Sequence, residues 1–257
     1  MEAIRRRRYD LPSSGNRTML LRAFVVLLLS AVLALPAGAA PKAKDTPQVA
    51  PPVGLELVLA VDGSASISEG ALEFQLRGHA AAFRDPAVIA AASATRIAVT
   101  LVAYSGPGMF RVLVPWTTIG SAEQAEAFAK RVQDTPRDGR ADSTAIGSAI
   151  DACAAQFAKS GVNAPRKVID LVSNGFSNSG TPPAEARDRA AARGITVNAL
   201  VILDEYDWLE EYFQENVVGG PGAFVRTAES RDSFAEALRQ KLILEIAGVP
   251  VRYAMIR

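Results

Sequence analysis

The sequence predicts an α/β protein: a three-layer, doubly wound, mostly parallel sheet of Rossmann-like type with one antiparallel edge strand. Three observations carry that expectation. Leu55–Val61 (LELVLAV) is a nearly continuous apolar run, as expected of a strand buried on both faces. Downstream of it, short β-like runs alternate with segments of helical period, the pattern of βαβ units. Arg96–Tyr104 (RIAVTLVAY) and Arg111–Thr117 are separated only by a turn holding Gly106-Pro107-Gly108. So short a connection makes a hairpin, which puts an antiparallel strand at the sheet edge.

The other elements follow in order. Glu69–Arg84 carries Leu72, Leu76, Ala80 and Phe83 on one helical face. Ala122–Gln133 is a helix opened by Ser121-x-x-Gln124, a capping-box spacing. Thr144–Lys159 places Ile146, Ile150, Cys153 and Phe157 at helical spacing, and Lys167–Ser173 (KVIDLVS) reads as a strand. Pro183–Arg193 is a helix, with Thr181 as its N-cap and Pro182 in a tolerated first-turn position. Thr196–Leu203 is a strand, Trp208–Asn216 a short helix and Phe224–Thr227 a short strand. Arg231–Ile246 closes the series with Phe234, Leu238, Leu242 and Ile246 aligned. In a sheet of this kind ligands bind at the carboxyl ends of the strands, near the topological switch point.

Composition narrows the chemistry. The chain of 257 residues is 49% hydrophobic and 21% charged, the balance of a globular protein. Its 28 basic and 27 acidic residues give no net field for nucleic acid. One histidine, His79, and one cysteine, Cys153, exclude a His/Cys zinc site, an internal disulfide and a Cys-x-x-Cys motif. Both sit on or beside apolar helical stripes and read as packing residues, while Trp116 and Trp208 read as packing or surface aromatic residues rather than ligand platforms. What remains for polar chemistry is oxygen, so any metal is a hard cation.

The N-terminal region reads as an export signal. Ala23–Leu35 is an apolar run of 13 residues, preceded by Arg17 and Arg22 and followed by Ala37-Gly38-Ala39. That is too short to span a bilayer but fits a signal peptide over residues 1–40. Residues 41–53, with Pro41, Pro47, Pro51 and Pro52, read as a linker, and residues 54–257 as one domain. Residues 1–40 hold six basic and two acidic residues; without them 22 basic and 25 acidic remain, net −3. The expectation is a periplasmic or secreted monomer with no membrane anchor after cleavage.

Oxygen-bearing residues gather after the strands. The first strand runs into Asp62-Gly63-Ser64-Ala65-Ser66, where one carboxylate and two hydroxyls can converge on a hard cation. Asp142-Ser143-Thr144 opens a helix, and Lys167–Ser173 runs into Ser173-Asn174-Gly175. The alternatives are ordinary: Ser66 with Glu69 is also a capping box, Thr144 a helix-start residue and Asn174-Gly175 a turn.

The Asp-x-Ser-x-Ser turn resembles the metal-ion-dependent adhesion site (MIDAS) of von Willebrand factor type A (VWA) domains. Ser143-Thr144-Ala145-Ile146-Gly147 resembles that family's threonine loop, and Ser173-Asn174-Gly175 the loop of its last acidic ligand. The chain is most similar to a bacterial family of secreted VWA-like proteins of unknown function. Phe83-Arg84-Asp85-Pro86, Val114-Pro115-Trp116-Thr117 and Gly219-Gly220-Pro221-Gly222-Ala223-Phe224 share in that likeness, which covers Gly54 to Ile246.

The resemblance implies that Ser64, Ser66 and Thr144 ligate Mg2+ or Mn2+ through hydroxyls. Asp62 would bind directly or through water, and an open position would accept an acidic side chain of a protein partner. The family has Asp where this chain has Asn174, which removes a charge and weakens the expected metal binding. Asp204, Glu205 and Asp207, after a later strand, could compensate. The expected function is an exported protein-binding module without catalysis. The competing readings are a metal-assisted hydrolase, disfavoured by the absence of a G-x-S-x-G elbow and of a histidine near the constellation, and a scaffold with a vestigial site.

Overall fold

The computed structural model describes residues 52–64, 69–136 and 143–248, with residues 69–71 as backbone only. The region read as signal peptide, residues 41–51 of the linker, Ser66, Asp142 and the stretch from 249 onward lie outside the described residues. The elements run β1 (Leu55–Asp62), α1 (Glu69–Ala82), α2 (Pro86–Thr95), β2 (Ile97–Tyr104), β3 (Phe110–Ile119), α3 (Ala122–Gln133), α4 (Ile146–Gln156), β4 (Arg166–Ser173), α5 (Pro183–Ala192), β5 (Ile195–Ile202), α6 (Leu209–Asn216), β6 (Val225–Ala228) and α7 (Arg231–Ala247). A 3-10 turn, Phe157–Lys159, extends α4.

The strands form one sheet in the order β3-β2-β1-β4-β5-β6. β1 pairs in parallel with β2 and β4, and β5 lies parallel to β4 and β6. β3 is antiparallel to β2 at the edge, as the short turn requires. The apolar run of β1 hides a period of two. Leu55, Leu57, Leu59 and Val61 join one core with Leu76, Phe83, Val88, Phe128, Phe234 and Leu242. Val58 and Ala60 join the other with Ile146, Ile150, Cys153, Ala186, Leu209 and Phe213. Helices cover both faces, so every β1 residue is buried. From β1 the chain moves toward β2, and from β4 toward β5. The two paths diverge, which makes the gap between the carboxyl ends of β1 and β4 the switch point.

Helix α2 has no counterpart in the sequence reading. Its segment, PAVIAAASAT, is apolar nearly all round and shows no amphipathic period. Its start signal is nevertheless present: Asp85 Oδ1 accepts from Ala87 N at 2.8 Å and Val88 N at 3.3 Å, with Pro86 in the first turn. Other elements differ in detail. The Ser121 hydroxyl caps α3 by accepting from Gln124 N, but Gln124 reaches back to Gly120 N rather than to Ser121 N. Thr181 does not cap α5; Pro182 holds that position, and Thr181 N–H donates to Ser148 Oγ. Helix α4 starts at Ile146, two residues later than expected.

A polar group is buried between α7 and the sheet. Lys241 Nζ lies 2.5 Å from Asp170 Oδ1 of β4 and also donates to Glu245 Oε1. Asn198 Nδ2 of β5 donates to the same glutamate oxygen at 2.7 Å. One cation cannot balance two carboxylates in an apolar setting. Burial first, and then Asp170, push the Glu245 carboxyl up to about 8, so near neutrality it holds its proton and the triad is neutral. His79 of α1 is fully buried nearby, and burial lowers its pKa.

Two outcomes follow for stability. Lys241→Met strands Asp170 as an unpaired buried charge, which should cost about 3–5 kcal/mol in urea unfolding. A carboxyl whose folded pKa lies above its unfolded value loses stability as pH rises between the two. The stability of the native chain relative to Glu245→Gln should therefore fall as pH rises from about 4.5 to about 8 and level off above that.

Candidate functional site

β1 delivers Asp62 to the switch point, where it is fully buried. Its Oδ1 accepts from Ser64 N at 2.9 Å, which fixes the Asp62-Gly63-Ser64 corner as an Asx turn. Its Oδ2 accepts from Ser173 Oγ, at the end of β4, at 2.6 Å. Gln75 of α1 clamps the Asp62 peptide, its Oε1 accepting from Asp62 N at 3.3 Å and its Nε2 donating to Asp62 O at 3.0 Å. Gly63 N donates to Tyr104 O of β2 at 2.7 Å. The carboxylate is thus held by the Ser64 amide and by β4, and the backbone that carries it by α1 and β2. Burial raises its pKa, and the hydrogen bonds from Ser173 and Ser64 pull the other way without cancelling that rise.

The loops before α4 and after β4 are sewn together. Thr144 N donates to Asn178 Oδ1 at 2.8 Å, and Asn178 N donates back to Thr144 O at 2.9 Å. Ile146 N donates to Ser177 Oγ at 3.2 Å, and Ser177 N donates to Tyr212 OH at 3.2 Å. Ala145 N donates to Ser105 O, just past β2, at 2.8 Å. Thr144 is therefore not the N-cap of α4: Ala145 stands there without a capping side chain, and Ser177 supplies an acceptor from outside. None of these bonds uses the Thr144 hydroxyl. Gly147 lets the two loops close up, because a Cβ there would lie 2.1 Å from Thr181 O.

Of the sequence-based site residues, Asp62, Ser64, Thr144 and Asn174 are all buried on the carboxyl edge of the sheet. Ser66 lies outside the described residues. The Asn174 side chain takes part in none of the loop hydrogen bonds, while its neighbour Ser173 holds Asp62. The acids after β5 do not complete a cluster. Asp204 faces Arg231 at 3.5 Å, and among the described residues no three His, Cys, Asp or Glu side chains form a group that could hold a metal ion. One carboxylate among hydroxyl and amide oxygens is a set of donors that would suit a hard cation.

Ser173, Gln75, Ser177 and Asn178 are the positions that sequence reasoning missed in their roles. Gln75 carried a signal, as an amide beside Leu76 of the apolar stripe must find a buried partner. Ser177 and Asn178 carried none beyond a turn-rich composition.

The sheet order, the antiparallel edge and the Asp62 corner at the switch point define a von Willebrand factor type A fold. Solved structures agree on that fold. Proximal thread matrix protein 1 from the mussel byssus aligns at 19% identity over 76% of this chain and 48% of its own, with a TM-score of 0.57. The pilus adhesin SpaC of Lactobacillus rhamnosus GG aligns at 18% identity over 76% and 30%, with a TM-score of 0.56. The vWF domain of the pilus tip protein Mfa5 of Porphyromonas gingivalis aligns at 11% identity over 77% and 97%, with a TM-score of 0.52. This chain spans less than half the length of the first two. Within the fold, residues 52–250 match the family model described as "Protein of unknown function (DUF1194)", and the chain belongs to that family. No curated protein matches the sequence.

A buried, uncompensated carboxylate predicts a distinctive pH response. With its pKa raised, Asp62 costs stability as pH rises through the carboxylate range. Asp62→Asn keeps an acceptor for Ser64 N and offers a donor to Ser173 Oγ. In chelator at neutral pH it should melt no lower than the native chain, and its melting temperature should rise less on acidification.

Proposed function

We propose that this chain is an exported, adhesion-type binding module that engages a protein partner through a divalent cation and performs no catalysis. Ser64, Ser66 and Thr144 would hold Mg2+ or Mn2+ through their hydroxyls, with Asp62 and Asn174 bound directly or through water. The observation that carries the reading is the Asp62 carboxylate, buried at the switch point with, among the described residues, only neutral donors on it. A cation there relieves the desolvation that burial imposes. The unused Thr144 hydroxyl and Asn174 amide, on loops stitched to the same edge, add neutral oxygens. A metal held by these residues would supply a Lewis-acidic contact for a partner's carboxylate.

The comparisons support the same reading. A further crystal structure of the mussel protein is described as having a zinc-occupied MIDAS motif; it aligns at 19% identity over 76% of this chain, with a TM-score of 0.53. SpaC and Mfa5 are pilus proteins, in keeping with an envelope or extracellular setting. Among the described residues no helix is long and apolar enough to cross a membrane.

With a single firm carboxylate, affinity should be weak, about 10⁻³ M for Mg2+ or Mn2+ by calorimetry. Asn174→Asp should tighten it about tenfold, and Asp62→Ala should abolish it. Partner capture from an envelope extract should require Mg2+ and fail in EDTA. Capture that persists in EDTA and with Asp62→Ala would refute the metal mechanism, and hydrolytic turnover lost with Ser64→Ala would refute the non-enzyme reading.

A further inference from the structure

We propose that the aromatic surface of Phe176, Tyr206, Trp208 and Tyr212 is a docking site for a cationic, Arg- or Lys-bearing segment of a protein partner. The rings come from neighbouring parts of the carboxyl edge. Phe176 follows β4, Tyr206 and Trp208 follow β5, and Tyr212 stands on α6. The Phe176 ring centroid lies 5.6 Å from Tyr206, 5.5 Å from Trp208 and 6.4 Å from Tyr212, and Tyr206 and Trp208 are 5.2 Å apart. These are contact distances, so the rings form a packed platform rather than a hollow cage.

The platform is open to solvent. Phe176, Tyr206 and Tyr212 are partly exposed. Trp208 is 45% exposed, while Phe83, Phe128, Phe213 and Phe234 are fully buried. Folding therefore leaves the largest ring of the cluster at the surface. The platform is also fixed from below, because Tyr212 OH accepts from Ser177 N. Rigid, half-exposed Tyr and Trp side chains are the usual anchors of protein recognition.

Charge selects the partner. From Asp204 to Asn216 the chain carries Asp204, Glu205, Asp207, Glu210, Glu211 and Glu215, and neither Lys nor Arg. Asp204 has Arg231 beside it. Glu205, Asp207, Glu210 and Glu211 are exposed and enter no ion pair among the described residues. Ring faces carry negative quadrupole potential, and a one-sign carboxylate rim adds to it. A guanidinium or ammonium gains from both, by stacking on the ring and by pairing at the rim. A neutral glycan would use the rings alone, and an acidic segment would be repelled. This surface includes none of Asp62, Ser64, Ser66, Thr144 or Asn174, so it stands whether or not metal binds.

The test uses the full chain with Trp116→Phe, so that tryptophan fluorescence reports Trp208 alone. The probe is a fluorescein-labelled peptide alternating Arg and Gly, titrated at low salt in EDTA and followed by anisotropy and by quenching of Trp208. Binding is expected, and Glu210→Gln/Glu211→Gln, exposed changes that leave the rings in place, should weaken it about tenfold. In the chain with native Trp116, Trp208→Ala should weaken anisotropy-detected binding about tenfold. Glu123→Gln/Asp134→Asn on α3, an equal loss of charge elsewhere, should change it less than about twofold. An equal loss from the α3 variant would reduce the effect to net charge and overturn the proposal. So would binding unmoved by Trp208→Ala, or a neutral oligosaccharide that quenches Trp208 where the peptide does not.

Discussion

A carboxylate cannot be left bare inside a sheet covered on both faces, and the carboxyl edge of this fold is organised around that constraint at Asp62. β1 is buried along its whole length, so the residue that ends it is buried too. Bringing an ionised group there is tolerable only if donors or a cation replace its water. The Ser64 amide and the Ser173 hydroxyl supply the donors, and Gln75 holds the Asp62 backbone by its N–H and its carbonyl. Together they tie the exit of β1 to the middle of α1 and the end of β4. The switch point is consequently a place where three chain segments are fixed with respect to one carboxylate.

The fold meets the same problem a second time and solves it differently. Asp170, in the middle of β4, has Lys241 2.5 Å away, and the surplus acid of that group, Glu245, is neutralised by keeping its proton. That arrangement closes its own charge account and sits away from the carboxyl edge. At Asp62, among the described residues, only neutral donors are present and the pKa stays raised. A structural carboxylate would be expected to acquire a Lys or a proton-sharing neighbour. One supported by hydroxyls and amides is the kind of group a cation would stabilise, and that difference is what favours the proposed binding role for Asp62 over a packing role.

Much of this was legible in the sequence, for identifiable reasons. The apolar run 55–61, the short Gly106-Pro107-Gly108 connection and the spacing of Phe234, Leu238, Leu242 and Ile246 are local signals of pattern and length, and the elements they imply are present. Helix α2 was hidden because Ala and Val all round give no period, so only its Asp85-Pro86 start could have revealed it. At the site, Asp62 and Ser64 were visible as a tight cluster. The Ser173 bond spans 111 residues and the Thr144–Asn178 pair 34. Such partners are set by strand order, which single-residue patterns do not encode. Thr144 was placed in a helix that starts two residues later, because its environment is decided by Ser177 and Asn178 rather than by helix propensity.

Asn174 is where these points meet. It is buried beside Ser173, on the loop that supports Asp62, and its side chain is not spent on the hydrogen bonds that hold that loop. An aspartate there would add a second buried negative charge on the loop that supports Asp62, where the described donors to Asp62 are the neutral Ser64 and Ser173. That would raise the cost of the empty site and the reward for a cation together. Asparagine keeps an oxygen at the edge without that added charge, so the edge buries one carboxylate there rather than two. In the proposed site, asparagine would therefore exchange some cation affinity for a more stable metal-free fold, and binding would respond to cation and partner jointly.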